Sequence, residues 1–393
     1  STQAYPKVTS LDDGGYVVTL HSSGQDGSQY GVYAQRYDAA GSVVGGEFQV
    51  NATTSDDQYY PSIASLDDGG FVVTWRDDNG ATDSRGGSGI DVFGQRFDAN
   101  SDKVGDEFLI NADADTGSQY EPSVAGLGNG NFVVTWRDDQ GASHDKNEKD
   151  TTVGHMADIR AQIFTTTATD DNGDVIMTPQ VSGGDFRVNE ESGTYTYPYH
   201  NQYEPFVTSF DDGSFVVSYT SYYGDSSHSY AIMAQRFDAS GTPIGNQIDV
   251  DTDYTGNNQY YSSTTTLDGG KFVVTWYSDG GTDIRGQLFN ADGNKLNDEF
   301  QINTYNSHDQ AYPSVTSLDD GGFVIAWHSS HQDSSSYGVY AQRFDAEGNK
   351  GIETILGQSA DSDLTFTGIE DYAVVDLGEG IDTVTFTRAY SDI

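Results

Sequence analysis

Two clusters of tyrosine and histidine near the middle of the chain hold side chains suited to binding a sugar. The first cluster runs from Tyr195 to Tyr203, and the second runs from Ser221 to Tyr230. Tyrosine offers a flat apolar face, while hydroxyl, amide and imidazole groups supply directed hydrogen bonds. The alternative is that these tyrosines only fill contacts between sheets. The predicted ligand-binding residues are Tyr195, Tyr197, Tyr222, Tyr223 and Tyr230.

The same clusters could supply the base and the acid of a polysaccharide lyase, because such a reaction moves protons to and from the sugar. The candidate catalytic residues are Tyr199, His200, Tyr203 and His228. The sequence contains no HExxH zinc motif, GxSxG nucleophile elbow, phosphate-binding loop or cysteine nucleophile. None of those mechanisms is therefore predicted.

Aspartate-rich segments are the second kind of candidate site, because Ca²⁺ binds several carboxylate and carbonyl oxygens. No segment has the full EF-hand spacing, since the closing glutamate is missing. Capping of turns by aspartate and asparagine is the alternative. We predict that the protein binds calcium. The predicted ligands are Asp77, Asp78, Asp83, Asp138, Asp139, Asp145, Asp170 and Asp174.

The charge of the chain limits its partners. There are 61 acidic residues against 18 basic ones, which gives a formal net charge of −43. Such a surface repels nucleic acid and anionic lipid head groups, and it attracts cations. No apolar run approaches the ~20 residues of a membrane span. We predict neither a nucleic-acid partner nor insertion into a membrane, and the absence of cysteine favours a bacterial source.

One sequence unit occurs six times, and this repetition is the strongest signal in the chain. Each copy has a glutamine three residues before a proline, or before serine in the fifth copy. An alternating run, an Asp-Asp-Gly-Gly type turn, a β-branched run, a third run, an Asp-Ala-x-Gly type turn and a fourth run follow. Runs of this length and period predict four antiparallel strands per unit. The six glutamines are Gln3, Gln58, Gln119, Gln202, Gln259 and Gln310.

The predicted fold is an all-β propeller of four-stranded antiparallel blades. A sheet of about 50 residues exposes two apolar faces, so the sheets must cover one another. A linear array of β-sandwiches is the rival arrangement, but each sandwich needs ~90–100 residues. We expect six blades, with seven as the alternative if the tail contributes one. The propeller spans 1–356, with repeats at approximately 3–51, 58–111, 119–189, 202–251, 259–303 and 310–356, and 357–393 is a C-terminal β extension or the start of a further module.

The third copy is enlarged by insertions at 138–158 and 165–184. Loop growth on one face of a repeat fold often marks the functional face. A tolerated surface insertion is the alternative.

A second glutamine occurs in every third strand, and arginine follows it in four copies. An amide both donates and accepts hydrogen bonds, so we interpret both sets of glutamine as structural. A ligand-binding ring around a central channel is the alternative. We expect the arginines to pair with nearby carboxylates, and they are Arg36, Arg96, Arg236 and Arg343.

The repeat has the form Gln-x-Tyr-Pro-Ser-Val-x-x-Leu-Asp-Asp-Gly-Gly-Phe-Val-Val-Thr-Trp, followed by Val-Tyr-Ala-Gln-Arg-Phe-Asp-Ala-x-Gly, and it is carried by residues 3–356. It resembles repeats in large secreted bacterial proteins of the RTX (hemolysin-type calcium-binding) group. The tail from Asp376 to Val384 resembles segments that lead into RTX β-rolls, but it lacks the Gly-Gly-x-Gly-x-Asp nonapeptide. The resemblance implies type I secretion, an extracellular or cell-surface location and calcium dependence. Ser1-Thr2-Gln3 is not a signal peptide, so we expect either a cleaved leader or an export signal further along.

The group includes adhesins, surface-layer proteins, toxins and polysaccharide-degrading enzymes. Because six near-equivalent repeats show no asymmetric catalytic constellation, we predict an extracellular, non-catalytic surface, adhesive or assembly-forming module stabilised by calcium. The alternative is a carbohydrate-active enzyme, similar to a polysaccharide lyase, or a lectin that uses the Tyr and His clusters near repeats 3 and 4. A polysaccharide or cell-surface glycan, and further copies of the chain, are the expected partners.

Overall fold

The computed structural model contains strands, turns and one short 3₁₀ turn at Asp268–Gly270, and its described residues form no α-helix. No helix within that part of the chain is long and apolar enough to cross a membrane. The described residues are 2–25, 27, 29–78, 89–111, 117–139, 157–169, 175–179, 184–189, 201–222, 230–251, 258–278, 283–332, 337–355, 363–367 and 383–387.

Six antiparallel sheets, each one blade, follow one another along the chain. Blade 1 contains β1 (Gln3–Ser10), β2 (Tyr16–Ser23), β3 (Tyr30–Tyr37) and β4 (Val43–Gln49). Blade 2 contains β5 (Gln58–Ser65), β6 (Phe71–Asp77), β7 (Asp91–Phe97) and β8 (Lys103–Leu109). Blade 3 contains β9 (Ser118–Gly128), β10 (Asn131–Asp139), β11 (Asp158–Thr169), β12 (Val175–Pro179) and β13 (Phe186–Arg187).

The remaining blades repeat the same order. Blade 4 contains β14 (Asn201–Ser209), β15 (Phe215–Tyr222), β16 (Tyr230–Phe237) and β17 (Pro243–Asp249). Blade 5 contains β18 (Gln259–Leu267), β19 (Lys271–Ser278), β20 (Ile284–Phe289) and β21 (Lys295–Gln301). Blade 6 contains β22 (Gln310–Ser317), β23 (Phe323–Ser330), β24 (Tyr337–Phe344) and β25 (Lys350–Ile355).

The prediction of a β-propeller with six four-stranded antiparallel blades is confirmed. In the tail, β26 (Asp363–Thr367) and β27 (Thr383–Thr387) pair in parallel with each other, so the described part of the tail adds no seventh four-stranded blade. Blade 3 departs from the repeat, because β12 and β13 both pair with β11. Much of the insertion predicted at 165–184 therefore extends the sheet.

The chain forms two compact units, of which the first is 1–225 with 234–247 and the second is 226–233 with 248–393. In the first unit, Leu11 and Val17 of blade 1 belong to one buried cluster with Ile63 and Trp75 of blade 2. Blades 2 and 3 share a further cluster in the first unit, and blades 5 and 6 share one in the second unit. In these three pairs, the apolar faces of adjacent blades are thus buried against each other, because neither sheet can bury its own faces.

The turns follow from their sequences. In the Asp-Asp-Gly-Gly turn of blade 2, Gly69 has φ +83°, a left-handed conformation that glycine adopts without a steric penalty. The N–H of Gly69 donates to the carbonyl of Leu66 over 3.0 Å. In the later turn of this blade, Asp98 Oδ1 accepts from the backbone N–H groups of Asn100 (2.8 Å) and Asp102 (2.9 Å). Aspartate here is a turn former.

The arginines that follow the third-strand glutamines hold the first turn of their own blade. Arg36 pairs with Asp13 over 2.6 Å, and Arg96 pairs with Asp68. Arg343 pairs with Asp320 in blade 6. The third-strand glutamines donate to backbone carbonyls, as when Gln95 bonds to the carbonyl of Arg96 over 3.0 Å.

The first-strand glutamines lie beside the strand-ending tryptophans. Gln259 Oε1 accepts from the indole N–H of Trp276 over 2.9 Å and from the hydroxyl of Ser278 over 2.7 Å. Blade 6 repeats this arrangement, with Gln310 accepting from Trp327 over 2.9 Å. The glutamine therefore satisfies a buried indole N–H that would otherwise lose its hydrogen bond to water.

Blades 2 and 3 differ, because buried aspartates Asp77 and Asp138 occupy the position of Ser278. The amide of Gln119 now donates to Asp138 over 3.1 Å, since a carboxylate only accepts. Gln58 donates to Asp77 in the same way over 3.4 Å. The indole N–H groups of Trp75 and Trp136 are left without a hydrogen-bond partner within the described residues.

Candidate functional site

A bulge in the first strand of every blade turns one side chain out of the regular alternation. The pairing of β5 with β6 shifts register between Tyr59 and Ser62, and Tyr60 there has φ +52°. A non-glycine residue with a left-handed backbone conformation costs roughly 1 kcal/mol of folding free energy. Its recurrence in six blades therefore indicates that the bulge is a regular part of the repeat. The residues at this bulge position are Tyr5, Tyr60, Glu121, Glu204, Tyr261 and Tyr312.

In the first unit these bulges assemble a line of alternating rings and guanidinium groups. The guanidinium of Arg76 lies 5.8 Å from the ring of Tyr60 and 4.9 Å from that of Tyr120. Arg137 lies 4.7 Å from Tyr120 and 5.0 Å from Tyr203, so Tyr120 contacts both cations. We name this line the aromatic ladder, and it consists of Tyr5, Tyr59, Tyr60, Arg76, Tyr120, Arg137 and Tyr203.

The ladder crosses blades 1 to 4 and is open to solvent at one end. The ring of Tyr5 lies 4.6 Å from that of Tyr60, edge to face. Tyr5 is 54% exposed and Tyr60 is 36% exposed. Large aromatic residues exposed side by side commonly mark a binding surface, because their burial would otherwise stabilise the fold.

Carboxylates compensate both cations of the ladder. Arg76 makes a two-point contact with Asp78, from Nε over 2.7 Å and from Nη2 over 3.0 Å. Arg137 donates to Glu121 over 3.3 Å and to Asp139 over 3.1 Å. These contacts fix the planes of the guanidinium groups against the neighbouring rings.

At the blade 1 end of the ladder, a buried histidine anchors the tyrosines. The His21 ring lies within 6 Å of the rings of Tyr5, Tyr30, Tyr59 and Tyr60. Its Nδ1 accepts from the backbone N–H of Tyr60 over 3.3 Å. Burial lowers the pKa of His21, which favours the neutral imidazole that this acceptor role requires.

Blades 3 and 4 carry glutamate where the other blades carry tyrosine at the bulge. Glu121 Oε2 accepts from the backbone N–H of Glu204 over 2.7 Å, so it links the two blades. Glu204 Oε2 accepts from the hydroxyl of Thr220 over 3.1 Å. This pair of carboxylates beside Arg137 and Tyr203 is the asymmetric feature that the repeat pattern did not predict.

The second unit has its own aromatic cluster, built from the same repeat positions. The rings of Tyr261 and Tyr312 lie 4.8 Å apart, and His328 contacts Tyr312 at 5.1 Å and Tyr337 at 5.3 Å. Burial lowers the pKa of His328, although Asp309 opposes the effect. In blade 5, Tyr277 stands at the repeat position that Arg76 and Arg137 occupy in the first unit, so this cluster lacks the ladder's cations.

Most residues predicted to bind or transform a sugar lie outside the described residues. Tyr203 is the exception among the lyase candidates, and it joins the ladder through Arg137. Tyr230 contacts the ring of Tyr260 at 4.8 Å, and Tyr222 pairs with Asn201 at the end of β15. The residues outside the described part are Tyr195, Tyr197, Tyr199, His200, Tyr223 and His228.

The described aspartates of the predicted calcium sites have protein partners instead. Asp78 and Asp139 hold the ladder arginines, and Asp77 and Asp138 are buried beside glutamines. Within the described ranges, no three His, Asp or Glu side chains form a group that could hold a metal. Asp83, Asp145, Asp170 and Asp174 lie outside those ranges. Calcium binding stays a prediction, and a fall in Tm on adding a chelator would support it.

Sequence inspection missed most of the ladder. The bulge residue precedes proline or serine, and the arginines directly follow Trp75 and Trp136, so both stand at fixed repeat positions. A comparison of these positions across the six copies would have found arginine in blades 2 and 3 and glutamate in blades 3 and 4.

Solved structures resemble this chain in their fold. A protein of unknown function from Dyadobacter fermentans is 12% identical, with a TM-score of 0.50 over 87% of this chain and 93% of that one. Trypanosoma rangeli sialidase in complex with sialic acid is 12% identical, with a TM-score of 0.48 over 86% of this chain and 53% of that one.

The Penicillium chrysogenum alpha-L-arabinanase complexed with arabinobiose is 12% identical, with a TM-score of 0.44 over 76% of this chain and 80% of that one. Such low identity shows the fold alone, and the two enzymes, at TM-scores below 0.5, carry no argument about activity. No family model and no curated protein matches the chain.

Proposed function

We propose that the protein is a glycan-binding propeller whose ligand lies along the aromatic ladder. The observation that carries this proposal is the line of tyrosines, exposed at Tyr5 and Tyr60, fixed by two arginines and bordered by carboxylates. Sugar rings pack their C–H faces on aromatic rings, and their hydroxyl groups bond to carboxylate edges. Of the functions predicted from the sequence, this geometry best supports the lectin alternative.

The surface, adhesive or assembly-forming role and the extracellular location remain predictions. Both are compatible with glycan binding, because a module that recognises a cell-surface polysaccharide can act as an adhesin. A screen of soluble polysaccharides and a glycan array tests the proposal directly. A protein that binds no glycan there, or that binds proline-rich peptides instead, would contradict it, since tyrosine-lined grooves also suit such peptides.

Tyr120→Ala is expected to weaken polysaccharide binding at least tenfold, measured by calorimetric titration. Tyr120 is the ring that Arg76 and Arg137 share, so its loss interrupts the ladder at its centre and removes a stacking partner from both guanidinium groups. Tyr16→Ala is the matched control. Tyr16 stacks on Tyr37 at 4.9 Å at the start of β2, and His21 lies toward the other end of that strand. Equal losses of affinity in the two variants would argue against the ladder.

Hydrolysis of the bound glycan is a second candidate function, favoured by the replacement of tyrosine with glutamate in two adjacent blades. In glycoside hydrolysis one carboxylic acid protonates the leaving oxygen, while a second carboxylate activates water or attacks the sugar. Glu121 and Glu204 are the candidates, since the Glu121 carboxylate accepts a hydrogen bond of 2.7 Å from the backbone N–H of Glu204, which makes the two residues neighbours.

If the protein is a hydrolase, Glu121→Gln and Glu204→Gln each lower the release of reducing ends by about 10²-fold or more. The control is Glu107→Gln, because Glu107 is also partly buried but bonds to Ala52 (2.7 Å) and Thr53 (2.9 Å) in blade 2. Binding of a polysaccharide by the unaltered protein without any release of reducing ends would leave the lectin and exclude the hydrolase.

A further inference from the structure

The charge around the aromatic ladder narrows the class of glycan. We infer that the ladder selects an uncharged polysaccharide and rejects acidic ones, and that Arg76 and Arg137 hold the tyrosine rings in place and do not bind acidic groups of the ligand. This inference rests on the proposed function, and it adds the substrate class.

The guanidinium faces are occupied by protein rings. Arg137 has Tyr120 at 4.7 Å and Tyr203 at 5.0 Å, while Arg76 has Tyr120 at 4.9 Å and Tyr59 at 5.6 Å. A guanidinium in such contacts is held as part of a stacked surface. Its faces are not presented to a ligand.

The hydrogen-bonding edges are also engaged. Asp78 takes the Nε and Nη2 donors of Arg76, and these are the groups that would otherwise grip a ligand carboxylate in a two-point contact. Glu121 and Asp139 each take one Nη of Arg137. The Nε of Arg137 is buried and has no partner within the described residues, so a ligand at the surface does not reach it.

The net charge around the ladder is therefore negative, whereas a site for acidic sugars needs a positive one. Five carboxylates lie on or beside the ladder, and three of them, Asp78, Glu121 and Asp139, pair with its two guanidinium groups, so the region carries excess negative charge in a protein whose formal net charge is −43. Uronate or sulfate groups placed here would meet repulsion, and both cations of the ladder are already paired with protein carboxylates. The five carboxylates are Asp57, Asp78, Glu121, Asp139 and Glu204.

The test compares polymers that share a backbone and carry either charged or uncharged substituents. Polygalacturonate is paired with its methyl ester, carboxymethylcellulose is paired with hydroxyethylcellulose, and arabinan, xylan and mannan extend the neutral set. Binding of at least one neutral polymer, at least tenfold tighter than any acidic one, is expected. Its affinity should change little between low and high salt, because no ion pair with the ligand is made.

A variant in which each guanidinium group loses one paired carboxylate provides the second arm. Asp78→Asn with Asp139→Asn is expected to gain at least tenfold in affinity for polygalacturonate and carboxymethylcellulose. The control, Asp102→Asn with Asp106→Asn, changes the net charge equally on exposed residues in and beside β8 and should gain less than twofold. Circular dichroism and Tm establish that both variants are folded.

The outcomes separate the two levels of the proposal. If no polysaccharide binds to the unaltered protein, the proposed function fails. If polygalacturonate or carboxymethylcellulose binds as tightly as the neutral polymers, glycan binding stands and the selectivity inference fails. If the two double variants gain equally in affinity for acidic polymers, net charge alone excludes them, and the role assigned to Arg76 and Arg137 is wrong.

Discussion

Asp251→Asn is expected to raise the free energy of unfolding by as much as about 4 kcal/mol near pH 8, and to change it little near pH 4. Asp251 is 3% exposed, and burial raises the pKa of its carboxyl group to about 7, with added repulsion from Asp249 and Glu299. A rise from 3.8 to about 7 corresponds to about 4 kcal/mol of preference for the protonated form.

The sign follows from which form the fold favours. In the unfolded chain Asp251 ionises near pH 3.8, whereas the folded protein retains the proton until about pH 7. The contribution of the protonated Asp251 to the free energy of unfolding is therefore complete below about pH 4. It falls as the pH rises and has been lost above about pH 7. Asparagine cannot ionise, so the variant lacks this loss. Chemical denaturation of both proteins across this pH range measures the difference.

Asparagine also fits the position, because other blades already use it there. In blade 5 the backbone N–H of Ile284 donates to Asn303 over 2.7 Å, as Ile232 donates to Asp251 over 2.8 Å. The reverse substitution Asn303→Asp is the matched control and should create a loss of stability near pH 8 that is absent near pH 4. A pH-independent difference in stability between the unaltered protein and the Asp251→Asn variant would contradict the buried, protonated carboxyl group. The other equivalent residues are Asn51, Asn111 and Asn189.

Trp276→Ala is expected to lower the free energy of unfolding by about 3–5 kcal/mol, the range for deleting a large buried aromatic side chain. Trp276 is fully buried in blade 5, and its indole N–H donates to Gln259 over 2.9 Å. The substitution leaves a cavity and removes that hydrogen bond. Denaturant midpoints, measured under conditions where unfolding is reversible, report the loss.

Phenylalanine substitutions separate the hydrogen bond from the packing. Trp276→Phe removes an indole N–H that has a partner, whereas Trp136→Phe removes one that has none within the described residues. We expect Trp276→Phe to be the more destabilising by about 1 kcal/mol. If Trp136→Phe costs as much, then the different positions of Gln119 and Gln259 do not control the stability of these blades.

The repeat made the blades predictable, because hydrophobic period, Asp-Gly turns and spacing all indicate the same four strands. The sequence also predicts that the arginines after the third-strand glutamines pair with nearby carboxylates, and the structure shows such a pair between Arg36 and Asp13 at the first turn. Both features depend on residues within one copy. Local patterns are strong enough to specify contacts of that kind.

The aromatic ladder was not predictable in the same way, because it joins different copies through a backbone irregularity. Alternation along the first strand does not indicate where Tyr60 or Glu121 points, since the left-handed bulge interrupts that alternation. Asp77 and Asp138 are predicted ligands for calcium, and the structure places both in strands, buried beside glutamine. Calcium binding at these residues stays a prediction. The sequence pattern predicts the strand, but it does not predict the bulge or the contacts of a side chain within the strand.

At the recurring bulge the backbone conformation is constant, whereas the side chain varies between blades. All six copies keep the same left-handed conformation, yet four present a phenol and two present a carboxylate. Replacing the residue at such a position alters the side-chain chemistry that one blade presents while the scaffold is preserved. A protein of this design can diversify its specificity blade by blade, much as an antibody framework tolerates new loops.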